Sequence, residues 1–283
     1  MSITLKGAAF LCVIVSINDS SRIANKTMSV QPDSLMLGRN SWQWQEVTWL
    51  QPPAHPHLHD GAVHVWRLAT DTAVLAVPAT LARLSVVERE RAGRIQCRER
   101  YEAYLGVRIL LHELSDAYAA DLMSRHDEEP TDEVDEIVLQ PRALRPTQRL
   151  YASVSHSGGV VAVALAREPV GIDIQQLRDV AQYPNVAARL FPPHWTRALA
   201  DLAHDSHERS VFFCRCWTAL EALYKLRGRG LLRNMALREI QGQDQPLVAG
   251  AQFFLTEDII AASAMPKEHV VSCYDADSLL EDR

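Results

Sequence analysis

The sequence predicts a protein of the α+β class, and three stretches carry that expectation. Tyr104, Val107, Leu111, Leu114 and Tyr118 recur at steps of three and four, the spacing that lays one apolar stripe along a helix of about four turns. The run YASVSHSGGVVAVALAREPVGIDI reads as two antiparallel strands and the start of a third, at Tyr151 to Ser155, Val160 to Leu165 and Val170 to Ile174, with a turn at Gly158-Gly159. Phe212 to Leu226 (FFCRCWTALEALYKL) is dense in helix formers and is followed by Gly228, a glycine-bearing exit. At 283 residues the chain is long enough for two domains, or for one with two lobes.

Taken from the N-terminus, the longest apolar run is Ala8 to Val15, far short of the roughly 20 residues a membrane span needs. One Lys6 before it and no small-x-small pattern after it do not make a leader. Residues 17–41 are polar and aperiodic, so residues 1–45 are expected to be a disordered extension, with Met28 and Met36 as alternative starts. From Glu46 an N-terminal lobe over 46–150 is expected, then a C-terminal lobe over 151–283. Within the first, Val47 to Leu50 is a short apolar segment and Ala62 to Leu68 alternates as a strand. His55, His57 and His59 stand beside two prolines and read as an exposed loop before a metal site. Ser85 with Glu88 three residues later is a capping box that opens a helix through ERERAGRI. Arg89, Arg91, Arg94, Arg98, Arg100 and Arg108 interleave with glutamates, as a solvated face or as a cradle for phosphate; composition leaves both open. SRHDEEPTDEVDE carries seven carboxylates and reads as an exposed excursion, after which PRALRPTQRL reverses the sign. No repeat of about 20 to 50 residues is visible.

Composition excludes several classes. A hydrophobic fraction of 47%, a charged fraction of 23%, 12 Gly and 14 Pro exclude collagen-like, disordered and coiled-coil chains. A net charge of -6 argues against a basic nucleic-acid binder, and no membrane partner is expected. Five sparse, unevenly spaced cysteines do not make a disulfide framework and fit a reducing compartment. There is no G-x-S-x-G, no G-x-x-x-x-G-K-[ST] and no H-E-x-x-H, so the serine-hydrolase, P-loop and zincin readings lack their organising residues. Ser155 and His156 are strand neighbours pointing to opposite faces, which prevents a direct nucleophile–base pair. Cys214 and Cys216 diverge on a helix and have no second pair to complete a zinc site.

The chemistry left standing lies in carboxylates. Asp173 closes an apolar strand and Glu221 sits on the later helix; each alone is weak, since a carboxylate ending a buried strand is more often a cap or an ion-pair partner than a metal ligand. Trp217, Glu221 and Lys225 fall at i, i+4 and i+8 on one face, and Glu221 with Lys225 is also the favourable orientation of an ordinary surface ion pair. An indole there is costly to leave in water, which implies that the face is covered.

Three segments in register, SVSHSGGVVAVAL, VGIDIQ and WTALEALYK followed by GRGL, together resemble the signature of the Sfp-type 4'-phosphopantetheinyl transferases, over roughly Leu84 to Leu232. The resemblance implies an α+β fold of two similar sheet-plus-helix lobes related by a pseudo-twofold. It implies Mg²⁺-dependent transfer of the 4'-phosphopantetheine arm of coenzyme A to a serine of an apo acyl or peptidyl carrier protein, as a holo-[acyl-carrier-protein] synthase. By motif, Asp173 and Glu221 match the metal ligands, Glu221 also the group that helps deprotonate the acceptor serine, Lys225 the lysine near the pyrophosphate and His156 a coenzyme A phosphate contact. Arg91, Arg94 and Arg145 stand where the family often has further basic residues. Gln175 replaces the frequent second acid of the metal set, and Leu220 replaces a lysine of the helix motif. The resemblance further implies a cytoplasmic monomer acting in fatty-acid, polyketide or nonribosomal-peptide synthesis, with Arg227, Arg229 and Arg233 facing an acidic carrier. A non-catalytic homologue that binds coenzyme A or a carrier is the alternative that Gln175 and Leu220 motivate.

Overall fold

Short alternating segments give eleven strands among the described residues, and the helices between them cover the outer faces of two sheets. The computed structural model describes residues 34–37, 40–70, 78–118, 142–143, 150–178, 183–202, 206–227 and 248–277. In chain order these hold β1 (Ser34–Leu37), β2 (Asn40–Trp44), β3 (Trp49–Leu50), β4 (Ala62–Ala69), α1 (Pro78–Ala82), α2 (Val86–Gly93), α3 (Arg98–Ala117), β5 (Arg142–Ala143), β6 (Tyr151–Ser157), β7 (Val160–Ala166) and β8 (Gly171–Gln176). There follow α4 (Tyr183–Leu190), α5 (Pro193–Asp201), α6 (Ser206–Leu226), β9 (Ala249–Thr256), β10 (Ile259–Met265) and β11 (Val270–Asp275).

The local signals act as written. Ser85 Oγ accepts the Glu88 N–H and the Glu88 carboxylate accepts the Ser85 N–H, so the capping box starts α2. Gly158 and Gly159 have φ of 60° and 75°, the left-handed pair that closes a two-residue hairpin between β6 and β7. The buried face of α3 is wider than the predicted stripe: Leu105, Ile109 and Leu110 join Val107, Leu114 and Tyr118 in the core, while Tyr104 and Leu111 sit at its margin. The helix is covered over more of its circumference than one stripe requires.

The sheets order as β1-β2-β9-β10-β8 and β3-β11-β4-β7-β6-β5. A strand, a long helix and a hairpin occur twice: β4, α3 and β6–β7, then β8, α6 and β9–β10. In both, the return strand of the hairpin lies antiparallel against the leading strand. This duplication, longer than any repeat a short window detects, is the pseudo-twofold that the resemblance implied, and the mixed α+β class stands. Val63, Val65, Ala162, Ala164, Ile172, Ile174, Phe253 and Ala261 fill the space between the sheets. Trp66, Leu68, Val161 and Val163 pack under α3, and Ile260, Ala262 and Ala264 under α6, giving four layers, helix, sheet, sheet, helix.

The expected division of the chain changes in two places. Residues 34–37 and 40–44, assigned to a disordered extension over 1–45, form β1 and β2, with Trp42 fully buried. Strand pairing also ignores a boundary at residue 150: β6 and β7 complete the sheet of β4, β2 runs parallel to β9, and β11 runs parallel to β4. Each terminal strand thus finishes the sheet built by the opposite half, a long-range choice that no local pattern records.

Candidate active site

Position two of the alternation decides which way β8 faces. Ile172 and Ile174 enter the space between the sheets, so Gly171, Asp173 and Gln175 face α6. Gly171 lets the helix lie against the strand: a Cβ there would meet Ala222 O at 1.9 Å and Leu226 N at 2.6 Å. The approach brings the last turns of α6 over Asp173.

Lys225, buried, donates from Nζ to Asp173 Oδ1 at 2.8 Å and to Val154 O of β6 at 3.2 Å. Ser155 Oγ donates to the same Oδ1 at 2.8 Å. Asp173 Oδ2 is buried and has no hydrogen-bond partner. Glu221, one turn before Lys225 and partly exposed, has its carboxyl pushed up to about 7, by burial first and by the Asp173 charge second, with Lys225 opposing. An orphaned carboxylate oxygen beside a second, electrostatically coupled carboxyl makes a hard-oxygen donor set, the kind that Mg²⁺ accepts while drawing further ligands from substrate phosphate and water. Gln175 shares the face and is partly exposed. Among the described residues no cluster of three His, Cys, Asp or Glu forms a self-sufficient metal site.

His156 is exposed at the hairpin on the side of α3. Crowding by the protein and then the Lys225 charge pull its imidazole below the usual histidine value, while Asp173 and Glu99 work the other way. Arg100 also acts on it, a proximity that the sequence did not single out. Arg91 stands over the Tyr104 ring at 5.9 Å and Arg94 pairs with Glu90 at 3.7 Å, both on the α2 flank. The structure thus gathers Asp173, Glu221, Lys225, Gln175 and His156 around the junction of β6, β8 and α6. Arg145, Arg229 and Arg233 lie outside the described residues. Leu220 is fully buried in the core under α6, so it serves packing and offers nothing to a docked carrier. Trp217 is partly buried and stacks on Phe213 with ring centres 6.0 Å apart, the cover its position implied.

What the sequence reading missed is the serine alternation. Ser153, Ser155 and Ser157 accept the N–H groups of Ile172, Ile174 and Gln176 at 3.0, 3.2 and 3.0 Å. β8 is an edge strand, and these hydroxyls replace the missing ladder partner. The sequence carries that signal as S-x-S-x-S, one residue type on one face of a strand.

Comparison with known proteins bears out the resemblance. Residues 169–272 match the family model of the 4'-phosphopantetheinyl transferase superfamily, a span that runs from just before β8 into β11 and contains Asp173, Glu221 and Lys225. The 4'-phosphopantetheinyl transferase HetI of Nostoc sp. is 28% identical over 196 residues, 69% of this chain and 79% of that protein. The 4'-phosphopantetheinyl transferase Sfp of Bacillus subtilis is 33% identical over 81 residues, 29% of this chain and 34% of that protein.

Proposed function

We propose that this protein is a 4'-phosphopantetheinyl transferase, moving the 4'-phosphopantetheine arm of coenzyme A onto a serine of an apo acyl or peptidyl carrier protein. The observation that carries the reading is the buried, partnerless Asp173 Oδ2 set beside Glu221 and Lys225 inside the segment that matches the family. Asp173 and Glu221 would hold Mg²⁺, with the Gln175 oxygen as a neutral third donor. Bound there, the ion supplies positive charge that offsets the diphosphate of coenzyme A and its departing bisphosphate.

The chain's own residues do the rest. Lys225 keeps a fixed ammonium at the floor, held by Asp173 Oδ1 and Val154 O, and its charge would favour a diphosphate bound over it. His156, largely neutral at neutral pH, donates a hydrogen bond to phosphate as a dipole. Glu221, on the same helix face one turn from Lys225, accepts the proton of the acceptor serine. The serine oxygen then forms a bond to the phosphorus attached to pantetheine, the P–O bond to the second phosphate breaks, and adenosine 3',5'-bisphosphate leaves with the electron pair. The holo-[acyl-carrier-protein] synthase activity, the cytoplasmic setting, the monomeric state and service to fatty-acid, polyketide or nonribosomal-peptide carriers belong to the same proposal. No helix among the described residues is long and apolar enough to cross a membrane.

Intact mass spectrometry of apo carrier proteins incubated with this protein, coenzyme A and Mg²⁺ tests the reading. The expected result is a gain of one phosphopantetheine, lost with EDTA and with Glu221→Ala. Coenzyme A binding without any gain on a panel of carriers would favour the non-catalytic homologue.

A further inference from the structure

Asp173 carries two oxygens in one buried setting, yet only one is engaged. Oδ1 accepts from Ser155 Oγ and from Lys225 Nζ, both at 2.8 Å, which fills both of its lone-pair directions. Oδ2 is left without a partner. The two donors come from different elements, β6 in one sheet and α6 on the other, so together they fix the plane of the carboxylate. The Ser155 hydroxyl is itself oriented: it accepts the Ile174 N–H at 3.2 Å, so its single proton is directed onto Asp173. Ser153 and Ser157 make the same backbone bond on Ile172 and Gln176. Ser155 alone of the three has a bond to Asp173 among its contacts.

We propose that Ser155 is a positioning residue that, with Lys225, occupies Asp173 Oδ1 and so presents Oδ2 as the oxygen offered to a divalent cation. The proposal rests on the reading of this site as a metal-dependent transferase site. It gives the serine alternation two separable tasks: all three hydroxyls hold the edge of β8, and the middle one also sets the ligand. A group that orients a ligand in this way changes metal affinity by about 10- to 100-fold when removed.

Ser153→Ala is the matched control, because it removes one edge hydroxyl without touching Asp173. The experiment is calorimetric titration of the full chain with MnCl₂ alone, beside thermal melting, for wild type, Ser153→Ala, Ser155→Ala and Ser155→Thr. The two alanine variants are expected to melt at similarly lowered temperatures. Only Ser155→Ala is expected to weaken Mn²⁺ binding by about tenfold or more, and Ser155→Thr, which keeps the hydroxyl, to return within about threefold of wild type. Should Ser155→Ala not fold, Ser155→Val against Ser155→Thr reads the same hydroxyl at nearly equal volume. Equal Mn²⁺ affinity in Ser155→Ala and Ser153→Ala, or in the Val and Thr variants, would overturn the proposal while leaving the transferase reading intact. A wild-type chain that binds no Mn²⁺, with or without coenzyme A present, would overturn both.

Discussion

The two strand–helix–hairpin units put different residues at the same place. Val163 and Ala262 are each the fourth residue of a hairpin's return strand, and the residues facing them on the leading strands are Trp66 and Asp173. Both side chains point at the long helix of their unit. Trp66 is fully buried there, stacked on Tyr274 with centres 4.6 Å apart and donating from Nε1 to Tyr118 Oη at 3.2 Å. Asp173 is held by Lys225 and by Ser155, a residue borrowed from the first unit's hairpin. The frame is indifferent to whether this position holds an aromatic core or a charge; what decides is the set of neighbours that can satisfy it. A carboxylate is tolerated where a buried cation and an oriented hydroxyl arrive together, and such a place is poised for chemistry because one oxygen remains unused.

The largest expected effect comes from breaking that set. Asp173→Ala leaves Lys225 buried without its counter-charge, at a cost of about 3–5 kcal/mol. Asp173→Ala combined with Lys225→Met is expected to recover most of that stability in urea denaturation, while carrier modification stays at least about 100-fold below wild type in both. Recovery of transfer along with stability in the double variant would show that the second unit uses the pair as the first uses Trp66, for packing.

The glycines at the helix–sheet contacts sharpen the comparison next. In the first unit the small residue is on the helix: a Cβ at Gly106 would touch Val161 Cγ2 at 3.4 Å and Thr70 Cγ2 at 3.5 Å, ordinary contacts. In the second it is on the strand, and Gly171 lies against helix backbone. Gly171→Ala is therefore expected to lose about 3 kcal/mol together with transfer, since α6 must lift off Asp173. Gly106→Ala is expected to change stability by no more than about 1 kcal/mol, since the contacts are ordinary and helix propensity favours the alanine. Equal costs at the two sites would mean that α6 is not held by backbone approach.

These features differ in how far the sequence reveals them. The capping box, the glycine turn and the shared face of Gly171, Asp173 and Gln175 follow from neighbours a few residues apart, and a single strand or turn is enough to express them. β1 and β2 do not: Trp42 is buried because its indole lies across Gly250, more than two hundred positions away, on a parallel neighbour. The boundary between units fails for the same reason, since β6 and β7 look like the start of a new lobe until β4 is seen to pair with β7. Lys225 is the instructive case at the site. Its i, i+4 spacing from Glu221 suggests a helix-surface pair, and only the approach of β8 turns its ammonium onto Asp173.

A smaller effect, of opposite sign in the two units, lies in pH. Glu221 has its carboxyl raised from 4.5 to about 7, so the folded, metal-free chain holds that proton more tightly than the unfolded chain does. Its stability is expected to fall as pH rises from about 4.5 to about 7 and to level off above. For Glu88 burial pushes upward, but bonds from the Ser85 N–H and His112 overcome it and lower the carboxyl, so its contribution is present above 4.5 and lost as pH falls. Melting in EDTA across about pH 3 to 8 is expected to show Glu221→Gln gaining on wild type as pH rises, and Glu88→Gln losing least at the acid end. A pH-independent gap for Glu221→Gln would mean that neither desolvation nor the Asp173 charge acts on this carboxyl.

The hairpins provide the smallest contrast. β9 and β10 turn through Glu257 and Asp258, where Thr256 Oγ1 donates to Asp258 Oδ1 at 2.8 Å. β6 and β7 turn through two glycines in left-handed backbone, a conformation that costs another residue about 1–2 kcal/mol. A Cβ on Gly159 has nothing nearer than Thr70 Oγ1 at 3.9 Å, so Gly159→Ala is expected to lose about 1 kcal/mol and no more than the backbone demands. A Cβ on Gly158 would press Gln176 Cδ at 2.8 Å, and that side chain donates to Asp258 Oδ2 at 2.8 Å, joining one hairpin to the other. Gly158→Ala is thus expected to cost more than Gly159→Ala, and the excess to disappear when Gln176→Ala is added, as a double-mutant cycle in urea denaturation would read. An excess that survives loss of the Gln176 side chain would place the strain in the turn itself and break the link between the two hairpins.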